Sequence, residues 1–132
     1  MKRIDYNEKV SELRKSGLCC AQIVVNAGLD IRGEENPQMV RAARTLCSGM
    51  QNQKTCGALT GGALMLGMWD APKTGAMVRE LDNWFETEFT TSACAKLLQM
   101  KKTDEHYSCA NLIRASINKC QDILSAQGLI EE

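Results

Sequence analysis

The stretch from Cys56 to Met68 is apolar on nearly every side of a helix. A helix of that kind has no solvent face and is placed at the centre of a fold. It also carries Gly57, Ala58, Gly61 and Gly62. Each glycine costs a helix roughly 1 kcal/mol against alanine. Repeating that cost in one helix points to other backbones approaching it closely. The rest of the chain must therefore supply amphipathic helices that wrap this one.

The flanking sequence reads that way. Tyr6, Val10 and Leu13 share one face of a helix over about Tyr6 to Lys15, which Ser16-Gly17 breaks. A short helix follows from about Cys19, with Cys20, Ile23, Val24 and Ala27 along one stripe. Asn26-Ala27-Gly28 is expected to end it, and Asp30 to Asn36 to form a polar loop. Pro37 opens the next helix, with Val40, Ala43 and Cys47 on a common face. After Pro72, Met77, Leu81, Trp84, Phe85 and Phe89 make a strong stripe over about Thr74 to Phe89. Ser92 to Met100 reads as a short helix. The last helix starts at Cys109 and turns Leu112, Ile113, Ile117, Cys120, Ile123 and Leu124 inward. No segment alternates with a period of two, so no strand is expected. These readings predict an all-α chain, a compact single domain over residues 1–132 with six or seven helices.

Charge narrows the function. Sixteen basic and sixteen acidic residues cancel, which leaves no electrostatic footprint for nucleic acid or an anionic membrane. The longest apolar stretch, Ala63 to Trp69, falls far short of the about 20 residues that span a bilayer. The start, Met1 to Lys9, is polar and lacks an apolar signal core. The expected location is the cytoplasm, where structural disulfides are uncommon and clustered cysteines more often bind metal or cycle their redox state.

The chain has seven cysteines, and four of them precede alanine or glycine: Cys20, Cys56, Cys94 and Cys109. Thr55, Ser108 and Ser92 stand one or two residues before three of these and read as helix caps. All four are thus expected in first turns, where free amides and the helix dipole favour thiolate over thiol. The small residue after each leaves room beside the sulfur. Their spacing matches no zinc ribbon or ferredoxin run, so the grouping must come from the fold. Cys120 sits mid-helix on an apolar stripe and reads as core. Cys19 points about 100° away from Cys20 around a helix, as a resolving thiol or a mere neighbour. Cys47 ends its helix on the buried face. His106, the only histidine, lies in a polar loop and reads as solvated. Met65, Met68 and Met77, like Trp69, read as core filler.

Gly17-Leu18-Cys19-Cys20-Ala21-Gln22, Ser48-Gly49-Met50 and Thr55-Cys56-Gly57-Ala58-Leu59-Thr60-Gly61, followed by Cys94 and Cys109, resemble the C-GCAxxG-C-C family of redox-active proteins. The resemblance runs from about Tyr6 to Ile123, and Thr-Cys-Gly-Ala-x-x-Gly is its most specific part. It places the family's four cysteines on Cys20, Cys56, Cys94 and Cys109. It implies a small helical domain carrying an iron–sulfur cluster, with no known substrate. Cys19, Cys47 and Cys120 are additions to the pattern, and Cys19 and Cys47 are further candidates for the ligand set.

Three functions are consistent with these residues. The first is an iron–sulfur protein of electron transfer or redox sensing, using Cys20, Cys56, Cys94 and Cys109 with a redox partner protein. The second is a cofactor-free thiol–disulfide oxidoreductase with pairs such as Cys20/Cys56 and Cys94/Cys109. The third is a zinc-stapled structural or interaction module. A homodimer would suit any of them.

Overall fold

A computed structural model describes the whole chain, Met1 to Glu132. Seven α-helices form it, with no strand: α1 Asn7–Lys15, α2 Cys20–Arg32, α3 Pro37–Ala42, α4 Gly57–Leu66, α5 Thr74–Phe89, α6 Cys94–Met100 and α7 Cys109–Ala126. Short 3₁₀ turns at Ala43–Leu46 and Glu105–Tyr107 extend α3 and lead into α7.

The glycine-rich helix is central, as its composition requires. Helix α4 packs most extensively on α2, and also on α5 and α7. The missing side chains set these distances. A Cβ at Gly61 would lie 2.9 Å from the Cα of Ala21 on α2. One at Gly62 would lie 2.8 Å from Leu81 of α5 and 3.2 Å from the Cys120 sulfur of α7. The stripes predicted for α5 and α7 are the ones buried, with Phe85, Phe89, Ile113, Ile117 and Leu124 inaccessible or nearly so.

Helix α2 departs from expectation. It does not stop at Gly28 but runs through Asp30 to Arg32, and Gly33 ends it with φ 67°. Gly28 is a packing glycine: a Cβ there would meet Met65 and Met68 at 2.9 Å. The left-handed position that ends a helix lies five residues later. Helix α2 is also buried on two sides. Ile23, Val24 and Ala27 face the main core, while Ala21, Val25 and Leu29 pack with Ala43 and Cys47 in a smaller one.

Two expected caps are absent. Cys56 itself caps α4 and Ala93 caps α6, neither with a side-chain bond, and only Ser108 caps as foreseen, accepting from the Asn111 amide. Thr55 and Ala93 instead form an antiparallel bridge. Across it the Cys56 amide donates to the Ser92 carbonyl at 2.7 Å, and the Cys94 amide to the Lys54 carbonyl at 2.6 Å. Two distant segments that each carry a cysteine are thereby pinned side by side.

Between Cys47 and Lys54 the backbone turns the wrong way for L-residues. Ser48, Gly49, Met50 and Gln51 have φ of 54° to 59° in succession. Each non-glycine residue held so costs roughly 1–2 kcal/mol. The segment is tied by the Lys54 amide to the Gly49 carbonyl at 2.8 Å and by the Gln51 side-chain amide to the Arg44 carbonyl at 2.8 Å.

Candidate functional site

Helix starts deliver the four cysteines. Cys20, Cys94 and Cys109 are the first residues of α2, α6 and α7, and Cys56 is the cap of α4. All four line one cleft of about 460 Å³. Leu18, Leu97, Leu98, Tyr107, Leu112 and Ile113 supply its apolar walls. Arg14 and Lys15 are its only charged lining, and no carboxylate faces it.

The small residue after Cys56 makes room for a different sulfur from the one expected. A Cβ on Gly57 would lie 2.5 Å from the sulfur of Cys20 and 2.9 Å from the Leu46 carbonyl oxygen. The loop before α4 completes the seat. The backbone amides of Ser48 and Ala21 donate toward the Cys20 sulfur, and a Cβ on Gly49 would meet the Cβ of Cys94 at 2.8 Å. The Ser48-Gly49 pair thus serves two of the four cysteines.

Burial dominates the acid–base behaviour, against the expectation of easily ionised thiols. Cys20 is pushed up by desolvation, which outweighs the Ala21 and Ser48 amides, and the neighbouring Cys109 and Cys94 push it further. Cys56 is pushed up to about 12, first by burial, against the opposing Ala58 amide and with Cys20 adding to the rise. Cys94 rises through burial and then through Cys109, with Lys101 opposing. First-turn amides are present, but the low-dielectric walls win. At neutral pH these cysteines rest as thiols and need a cation, or a redox event, to shed their protons.

The remaining cysteines separate cleanly. Cys120 is fully buried, 3.6 Å from the Gly62 carbonyl oxygen to which its thiol donates, and burial alone raises its pKa. It is core, as read. Cys19 and Cys47 form a disulfide, with Cα atoms 6.0 Å apart, against the expectation that structural disulfides are uncommon in such a chain. The Cys19 cap of α2 and the Cys47 end of the 3₁₀ turn meet within the usual range for such a bond. Both sulfurs are therefore withdrawn from the free thiols, and only Cys19 reaches the cleft lining.

His106 lies outside the cleft. Its Nε2 donates to the Glu88 carbonyl at 3.1 Å and its ring rests 4.9 Å from that of Phe89. Tyr107, its neighbour, is a cleft residue that no sequence signal marked, as are Arg14, Leu97 and Leu98.

No helix is long and apolar enough to cross a membrane. Comparison with curated proteins and with solved structures gives no match. A family model described as "Putative redox-active protein (C_GCAxxG_C_C)" matches residues 18–123. That span holds every cysteine of the cleft and the disulfide beside it, and the chain belongs to the C_GCAxxG_C_C family of redox-active proteins.

Proposed function

We propose that the four-thiol cleft is the redox site and that it binds an iron–sulfur cluster for electron transfer or redox sensing. The observation that carries this reading is that Cys20, Cys56, Cys94 and Cys109, from four separate helix starts, line one cleft free of carboxylates. Four thiolates are the usual ligand set of a [2Fe–2S] or [4Fe–4S] cluster. A single zinc ion fits the donors less well. It needs its sulfurs about 2.3 Å from one point, and no three such side chains are grouped for one ion. A cluster spreads its irons, so each cysteine has only its own iron to reach. When bound, it would supply one-electron chemistry in a part-exposed cleft. The chain's own part is to bring the four thiols to one cleft, set the Ala21 and Ser48 amides against Cys20 and the Ala58 and Leu59 amides against Cys56, and line the cleft with leucine side chains. Arg14 and Lys15 at the cleft offset the negative charge of four thiolates and suit an acidic redox partner.

Protein purified without oxygen is expected to be coloured and to contain iron and acid-labile sulfide. Colourless, metal-free protein under those conditions overturns the cluster reading. The second reading, a cofactor-free thiol–disulfide oxidoreductase, draws on the disulfide at the cleft edge. It predicts that mild oxidation removes cleft thiols in pairs. The raised pKa values of Cys20, Cys56 and Cys94 weigh against it, because the thiolate is the attacking form.

A further inference from the structure

We propose that the Cys19–Cys47 disulfide is a second redox site at the edge of the cleft, opened by a dithiol reductant, and that its opening releases the left-handed segment seating Cys20 and Cys94. The inference holds whether or not the cleft carries a cluster.

The two halves of the disulfide do different jobs. Cys19 caps α2, one residue before Cys20, and its amide donates to the Gln22 side chain at 3.1 Å. Gln22 in turn donates to the Val40 carbonyl at 3.1 Å, so this end is held by hydrogen bonds besides the sulfur. Cys47 directly precedes Ser48, where the left-handed run begins. Its partner bond is the covalent anchor of that run. The other ties, from Lys54 to Gly49 and from Gln51 to Arg44, are single hydrogen bonds. The same run supplies the Ser48 amide to the Cys20 sulfur and lays Gly49 against the Cβ of Cys94. A conformation that L-residues resist needs such an anchor. Once the anchor opens, the run is free to relax.

Access decides where the reductant attacks. Cys47 is 3% exposed, whereas Cys19 is part-exposed and lines the cleft. A thiolate of the reductant attacks the Cys19 sulfur. The Cys19–Cys47 bond breaks, and Cys47 leaves as a thiolate that takes up a proton. The reductant's second thiol then attacks its own sulfur in the mixed disulfide and frees Cys19, which is protonated in turn. The protein gains two electrons and two protons, and the reductant becomes a disulfide.

The test uses the unaltered full-length protein in dithiothreitol redox buffers of graded ratio, trapped by alkylation and mapped by peptide mass. Cys19 and Cys47 are expected to pass together from linked to doubly alkylated. Amide exchange is then read in the two end states. Lys54 and Cys94, whose amides bond to Gly49 and Lys54, are expected to exchange roughly tenfold faster or more after reduction, with residues 112–124 of α7 unchanged. Two results each overturn the proposal: Cys19 and Cys47 alkylating as free thiols in the fully oxidised buffer, or exchange at Lys54 and Cys94 that is the same in both states. Iron content is assayed separately, so loss of the cluster reading leaves this test intact.

Discussion

A methyl group at Gly57 has nowhere to go between the Cys20 sulfur and the Leu46 carbonyl, one of which is main chain and cannot swing aside. The Gly57→Ala variant is expected to lose about 1–3 kcal/mol in urea unfolding, and its Cys20 should alkylate faster than in the parent protein. Cys120 makes a different prediction. Its buried thiol stays neutral in the folded chain, with a pKa raised above the ordinary 9.0, while an unfolded chain ionises it at that ordinary value. Its contribution is therefore complete below about pH 9 and is lost as pH rises further. Cys56, pushed up to about 12, acts in the same sense. Cys120→Ala should lower stability at neutral pH by about 1 kcal/mol, yet flatten the alkaline decline measured by urea unfolding between pH 8 and pH 10 (roughly the window in which the unfolded thiol ionises). That Cys120 is core was legible from its stripe with Ile117 and Leu124. That the helix-start cysteines would be hard to ionise was not, because local amides can be read from a sequence and the depth of a cleft cannot.

At the scale of elements, the α2–α4 contact sets the architecture. A Cβ at Gly61 meets the Ala21 backbone, its Cα at 2.9 Å and its oxygen at 3.1 Å, so the two helices would have to part. Gly61→Ala should destabilise by about 1–2 kcal/mol even after the gain in helix propensity of roughly 1 kcal/mol. Gly67→Ala should be neutral or stabilising by up to about 1 kcal/mol, since its nearest atom is at an ordinary 3.4 Å and its φ is −66°. Thermal melts of the two variants check the contrast. Periodicity located α5 and α7 well, because their stripes each face one core. It misplaced the end of α2, because a glycine reads the same whether it ends a helix or admits a neighbour, and only Met65 and Met68 tell Gly28 from Gly33. The Thr55–Ala93 bridge and the left-handed run of residues 48–51 left no readable trace. Thr55 and Ser92 look like caps, and four of the five positive-φ residues outside glycine lie between Ser48 and Gln53 where sequence preference predicts none. The disulfide was equally hidden, joining cysteines separated by 28 positions with no motif between them.

For the molecule as a whole, the cleft belongs to no single helix. Cys20, Cys56, Cys94 and Cys109 come from the starts of α2, α4, α6 and α7. On the proposed cluster reading, each of Cys20→Ser, Cys56→Ser, Cys94→Ser and Cys109→Ser lowers the iron and sulfide content of anaerobically prepared protein severalfold. Cys120→Ala should leave that content unchanged, which separates loss of a ligand from loss of stability. The distribution of the thiols also spreads the site along the chain, from residue 20 to residue 109. The packing of α2 on α4 brings two thiols together. The third depends on the pairing of Thr55 with Ala93, and the fourth on the packing of α7 against α2 and α4. Any shorter stretch of the chain holds an incomplete set, and only the folded protein presents all four thiols to one cleft.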